Sequence, residues 1–81
     1  MSGPVLQLVG KPDCHLCHEM RAVVLEVLPP GVQLVDVDVR DDPELERLYL
    51  FEIPVLLLDG VEVARHRVTA DELRVRLASR R

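Results

Sequence analysis

The sequence predicts an α/β fold, a four-stranded mixed sheet covered by helices in the order β-α-β-α-β-β-α. Three observations predict it. A segment with helical apolar spacing lies between two strand-like runs near the N-terminus, an Asp-Gly pair later joins two short apolar runs, and Thr69 with Glu72 opens a last helix. Strand, helix, strand requires a parallel pair with a right-handed crossover, whereas the hairpin must be antiparallel, so the sheet is mixed.

Taken in order, Val5 to Val9 is an apolar run of strand length between Gly3-Pro4 and Gly10-Lys11-Pro12. From about Cys14 to Leu28, the residues Leu16, Met20, Val23, Val24, Val27 and Leu28 recur at three and four, the spacing of one helix face. Asp13 is the expected N-cap, and Pro29-Pro30-Gly31 stops the helix. Val32 to Val39 alternates Val35, Val37 and Val39 with Asp36, Asp38 and Arg40, a strand with one wetter face. Asp42 caps a short helix with Pro43 at its first position, running through Glu44, Leu45, Leu48 and Tyr49 and ending before Pro54. Pro54 to Leu58, Asp59-Gly60 and Val61 to Ala64 form the hairpin. The last helix carries Leu73 and Leu77.

With 81 residues, the chain is expected to form a single domain over 1–81 with an aliphatic core, since it holds one Phe, one Tyr and no Trp. MSGPVLQLVG lacks the cationic start and apolar run of a signal peptide, and no apolar run is long enough to span a membrane, so a cytoplasmic monomer is expected. A net charge of −4 argues against nucleic-acid binding. Six of the ten basic residues (Arg65, Arg67, Arg74, Arg76, Arg80 and Arg81) crowd the C-terminal stretch. Without interleaved aromatics, they read as a solvated helix face, with an acidic protein partner as the lesser reading.

The stretch KPDCHLCHEM holds both cysteines, the only lysine and two of the three histidines. Cys14 and Cys17 would close too small a loop to stabilise the fold by crosslinking. Placed at a helix N-terminus, Cys14 meets unpartnered N–H groups and the positive end of the helix dipole, conditions in which thiol pKa values fall to about 3.5–7.5. Lys11 and protonated His15 or His18 would favour the thiolate, and Asp13 would oppose it. Cys17 lies deeper, near Leu16 and Met20. The expected division of labour makes Cys14 the attacking thiolate and Cys17 the resolving thiol. Metal or iron–sulfur cluster carriage by the same thiols is the alternative, although Cys-x-x-Cys supplies half a tetrahedral set and His66 is the only distant candidate. His15 and His18 otherwise read as solvated polar residues, and His66 as strand surface.

So placed, the dithiol makes the chain resemble short glutaredoxin-like proteins of the thioredoxin superfamily. The resemblance spans nearly the whole chain and rests on K-P-D-C-H-L-C after the first strand, D-V-D-V-R-D-D-P-E-L, E-I-P-V-L and the closing D-G hairpin. It implies a thioredoxin-like fold of glutaredoxin type and thiol–disulfide oxidoreductase activity, with electrons passing through Cys14 and Cys17. Pro54 matches the cis-proline facing the dithiol, Ile53 offers backbone groups to an extended substrate, and Val55 sits where that backbone approaches. Lys11 matches the lysine that binds a glutathione carboxylate. The implied partners are a disulfide-containing protein or small thiol and a thiol reductant, either glutathione or a reductase, with no bound cofactor. Two departures stand out. The family's usual C-P-Y-C is here Cys14-His15-Leu16-Cys17, and its glycine pair and aspartate have become Arg65-His66-Arg67-Val68-Thr69-Ala70-Asp71, where Thr69 and Asp71 can substitute only in part. Dithiol exchange is therefore better supported than glutathione use.

Overall fold

A computed structural model describes residues 3–79 of the chain. Its elements are β1 (Val5–Gly10), α1 (His15–Val27), β2 (Gln33–Asp38), a short 3-10 turn (Val39–Asp41), α2 (Pro43–Tyr49), β3 (Val55–Leu58), β4 (Val61–Arg65) and α3 (Ala70–Ala78). The strands run in the order β2-β1-β3-β4, with β1 parallel to β2 and antiparallel to β3, and β3 antiparallel to β4. This is the expected mixed sheet. Arg80 and Arg81 lie outside the described residues.

Alternation along the strands divides the interior in two. Leu6, Leu8, Leu56, Leu58 and Ala64 point to the face covered by Met20 and Val24 of α1 and Leu73 and Leu77 of α3. Val9, Val55 and Leu57 point to the other face, where Leu45 and Tyr49 of α2 pack against them. Central β1 and β3 are therefore buried on both sides, which is why they read as unbroken apolar runs. Edge strand β2 has no fully buried residue.

Local chemistry explains the joints. Asp59 and Gly60 both have positive φ, 49° and 86°, as a primed two-residue turn requires. The Asp59 carboxylate also accepts the Val5 N–H at 2.9 Å, pinning the start of β1. Asp42 caps α2 through the N–H groups of Glu44 and Leu45, and Thr69 and Glu72 form both bonds of the capping box on α3.

Three expectations are corrected. The N-cap of α1 is Cys14, not Asp13: its sulfur accepts the Cys17 N–H at 3.2 Å. The second strand stops at Asp38 because that carboxylate captures the Arg40 N–H at 2.9 Å and turns the chain, sending Val39 inward. His66 is not strand surface. It follows β4 with φ 65°, its N–H donating to the Pro54 carbonyl at 2.8 Å while the Arg67 N–H reaches back to Arg65 at 2.7 Å, a three-residue turn that side-chain-bearing residues seldom adopt.

Candidate active site

Four loops meet at one end of the sheet. Because β3 is antiparallel to β1, with Val9 opposite Val55, the segment before β3 rises beside the Lys11–Cys14 loop that leaves β1. The turn after β2 and the residues after β4 emerge at the same end, since β2 is parallel to β1 and Arg65 pairs with Val55.

Cys14 and Cys17 are joined by a disulfide there, their Cα atoms 5.2 Å apart. The two sulfurs are unequal. Cys14 is half-buried at the N-cap, while Cys17 is 6% exposed and sealed against the sheet. Gly10 makes that seal: a Cβ added to it would lie 2.7 Å from the Cys17 sulfur. No local signal in the sequence marks Gly10, because the contact joins β1 to α1.

The residue pair preceding β3 is Ile53-Pro54, joined by a cis peptide bond. Pro54 is buried, and Ile53 is half-buried with no backbone hydrogen bond among the described residues. Val55 follows Pro54 at the start of β3, its side chain fully buried in the core beneath α2. Glu52, a second residue the sequence did not single out, ties this segment to β4: its carboxylate meets Arg65 at 3.1 Å and His66 at 3.2 Å. Hydrogen bonds to Glu62, with Glu52 adding to them, hold the Arg65 guanidinium more firmly protonated than usual.

The remaining expected binding residues do not converge. Lys11 is half-buried and lines a cavity of about 410 Å³ with Cys17, His18, Arg21 and Asp38, on the β2 side of the dithiol. Thr69 lines a separate groove of about 200 Å³ with Leu16, Glu19, His66 and Arg67. The Thr69 hydroxyl and N–H are engaged with Glu72, and the exposed Asp71 pairs with Arg74 at 2.9 Å. The histidines also part company. His15 pairs with Glu19 at 2.7 Å, His18 bonds the Pro12 carbonyl at 2.7 Å, and His66 faces Glu52. Among the described residues, no three His, Cys, Asp or Glu side chains gather as a metal ligand set.

Asp38 carries the largest acid shift at this end. Two side-chain bonds from Arg40, at 3.0 and 2.8 Å, and the Arg40 N–H hold its carboxyl at about 2, below the ordinary 3.8. Glu62 is lowered by Arg65 and Glu72 by the Thr69 N–H. Each releases its proton more readily folded than unfolded, so its stabilisation is present above the unfolded value and lost as pH falls through the folded one. The melting temperature is therefore expected to fall below about pH 4.5 and to keep falling toward pH 2. In Asp38→Asn the lowest part of that slope should disappear. Thermal unfolding followed by circular dichroism across this range checks both.

Among the described residues, no helix is long and apolar enough to cross a membrane. The family model described as Glutaredoxin-like domain (DUF836) matches residues 5–78. Among solved structures, the chain is similar to a protein of X. campestris at 28% identity and TM-score 0.81, over 94% of this chain and 99% of that one. It is also similar to desulfothioredoxin of Desulfovibrio vulgaris Hildenborough in its reduced form, at 26% identity and TM-score 0.71, over 95% and 81% of the two chains. Mitochondrial thioredoxin 3 of Saccharomyces cerevisiae, at 17% identity and TM-score 0.62 over 96% and 77%, shares the fold.

Proposed function

Since the chain belongs to the glutaredoxin-like domain family and has the α/β fold of the thioredoxin superfamily, we propose that it is a thiol–disulfide oxidoreductase working through Cys14 and Cys17. The observation that carries this reading is the inequality of the two sulfurs: an accessible one at the N-cap and a sealed one a turn deeper. In the reduced protein, the Cys17 N–H aimed at the Cys14 sulfur stabilises a thiolate more than a thiol, as do the other N–H groups of the first turn of α1.

The Cys14 thiolate attacks one sulfur of a substrate disulfide. A bond forms between Cys14 and that sulfur, and the other substrate sulfur leaves as a thiolate that takes up a proton. Cys17 then gives its proton to solvent and attacks the Cys14 sulfur, closing the intramolecular disulfide and releasing the second substrate thiol. The substrate gains two electrons and the protein loses them. A thiol reductant, either glutathione or the dithiol of a reductase, returns the pair to the reduced state by the same steps. The unengaged Ile53 backbone supports an extended substrate segment lying across the site. Engagement of Thr69 and Asp71 within α3, and the separation of Lys11 from them, favour a protein dithiol as reductant over glutathione.

Cys17→Ser tests the order of events. This variant should accumulate mixed disulfides through Cys14 when mixed with cell extract, visible as adducts on non-reducing gels that vanish with dithiothreitol. Adducts formed equally well by Cys14→Ser would reverse the roles. Stoichiometric zinc or iron in anaerobically purified protein, with no dithiol couple, would overturn the oxidoreductase reading.

A further inference from the structure

Resolution of the mixed disulfide requires the Cys17 thiol to lose its proton, yet Cys17 is nearly buried. The proton needs an acceptor close to that sulfur. Cys17 forms part of the wall of the cavity of about 410 Å³ on the β2 side of the dithiol, and His18, the next residue, lines the same cavity. His18 is itself exposed, so this wall connects the buried thiol to solvent.

One hydrogen bond fixes the chemical form of the His18 ring. Its Nε2 lies 2.7 Å from the Pro12 carbonyl oxygen, which can only accept, so Nε2 carries a hydrogen. In the neutral ring the free lone pair is then on Nδ1. The same bond ties α1 back to the loop that leaves β1, which holds the imidazole at the cavity.

The other polar groups of this wall are poorer acceptors. Lys11 and Arg21 are cations with no lone pair to offer. Arg21 holds both oxygens of Asp36 at 3.1 Å, and Arg40 keeps the Asp38 carboxyl at about 2. As a class, carboxylates lie about four to five pKa units below a thiol and imidazole only about two, which leaves Asp41 a weak competitor. His15 takes no part in this wall and pairs instead with Glu19 at 2.7 Å. The carboxylates have a different use: the charge that His18 gains with a proton is received beside Asp36, Asp38 and Asp41.

We propose that His18 is the proton acceptor for Cys17 in the resolving step, acting through Nδ1 across the β2-side cavity. The proposal rests on the oxidoreductase reading and adds a catalytic residue to it. In the mixed disulfide, the Cys17 proton passes to Nδ1 through the water that a polar cavity of this size holds. The Cys17 sulfur bonds to the Cys14 sulfur, and the substrate sulfur leaves with the electron pair of the broken bond. His18 then gives the proton up to solvent.

Stopped-flow reaction of the reduced protein with 5,5′-dithiobis(2-nitrobenzoate) separates the two steps. Attack by Cys14 releases one coloured nitrothiobenzoate at a rate proportional to the reagent, and resolution by Cys17 releases a second at a rate independent of it. His18→Gln keeps an amide donor for the Pro12 carbonyl but has no basic nitrogen. At neutral pH it should slow the second phase by about tenfold or more while leaving the first within about twofold. Imidazole added to this variant should speed its second phase in proportion to concentration. An unchanged second phase in His18→Gln, a second phase there that imidazole does not speed, or an equal slowing of both phases overturns the assignment and leaves the oxidoreductase reading standing. Absence of any second phase in the wild-type protein sinks both.

Discussion

Replacing Cys14 with serine is expected to lower disulfide-reductase turnover by about a thousandfold or more while leaving the fold intact. A hydroxyl at neutral pH is neither ionised nor able to form the mixed disulfide, and Cys17, 6% exposed and packed against Gly10, is a poor substitute for it as the attacking sulfur. The substitution separates chemistry from architecture because serine is a favoured helix N-cap. The Cys17 N–H that now meets the sulfur at 3.2 Å would meet an oxygen instead. The melting temperature of the variant should therefore equal or exceed that of the reduced wild-type protein. Turnover of bis(2-hydroxyethyl) disulfide, read beside thermal unfolding, checks both parts. A Cys14→Ser protein retaining a tenth of the wild-type rate would defeat the assignment of Cys14 as nucleophile.

The second large effect falls on Gly10→Ala, which is expected to destabilise the oxidised protein by about 1–3 kcal/mol. The new methyl would stand 2.7 Å from the Cys17 sulfur and 3.1 Å from its Cβ. Neither atom is the free end of a flexible side chain. Cys17 belongs to the first turn of α1, and its sulfur is tied to Cys14. Relief has to come from moving the helix start off β1, against the packing of Met20 and Val24 one and two turns later. In the reduced protein the Cys17 thiol can rotate, so the loss there should be smaller. Urea midpoints of the two redox forms give the comparison, and equal losses in both would mean that the methyl is absorbed elsewhere.

The features legible in the sequence were those whose chemistry is local. Asp59-Gly60 demanded a turn with positive φ, Thr69 and Glu72 supplied their own reciprocal cap, and Asp42-Pro43 opened a helix wherever the chain might place it. The Cys-x-x-Cys spacing brought the two sulfurs within bonding reach for the same reason. The features missed depend on partners far away or on competition between neighbours. Period-two alternation ran on through Val39, but the Asp38 carboxylate took the Arg40 N–H and ended the strand early. Asp13 has the usual chemistry of a helix cap, yet the chain turns one residue later, where the thiol meets the Cys17 N–H. Nothing near His66 asks for a left-handed backbone. Pro54 and Glu52, from the other side of the site, hold it there.

The position of β1 within the sheet also sets the order in which the site is made. Its neighbours are β2, which follows after one helix, and β3, which begins only at Val55. During synthesis, Cys17 therefore leaves the ribosome roughly two to eight seconds before β3 does, at ordinary rates of about 5–20 residues per second. For that interval the thiols exist on a half-built sheet, without the Ile53-Pro54 segment that will stand beside them. The chemistry they first meet is that of the nascent chain's surroundings, before a substrate segment has the Ile53-Pro54 backbone to lie against.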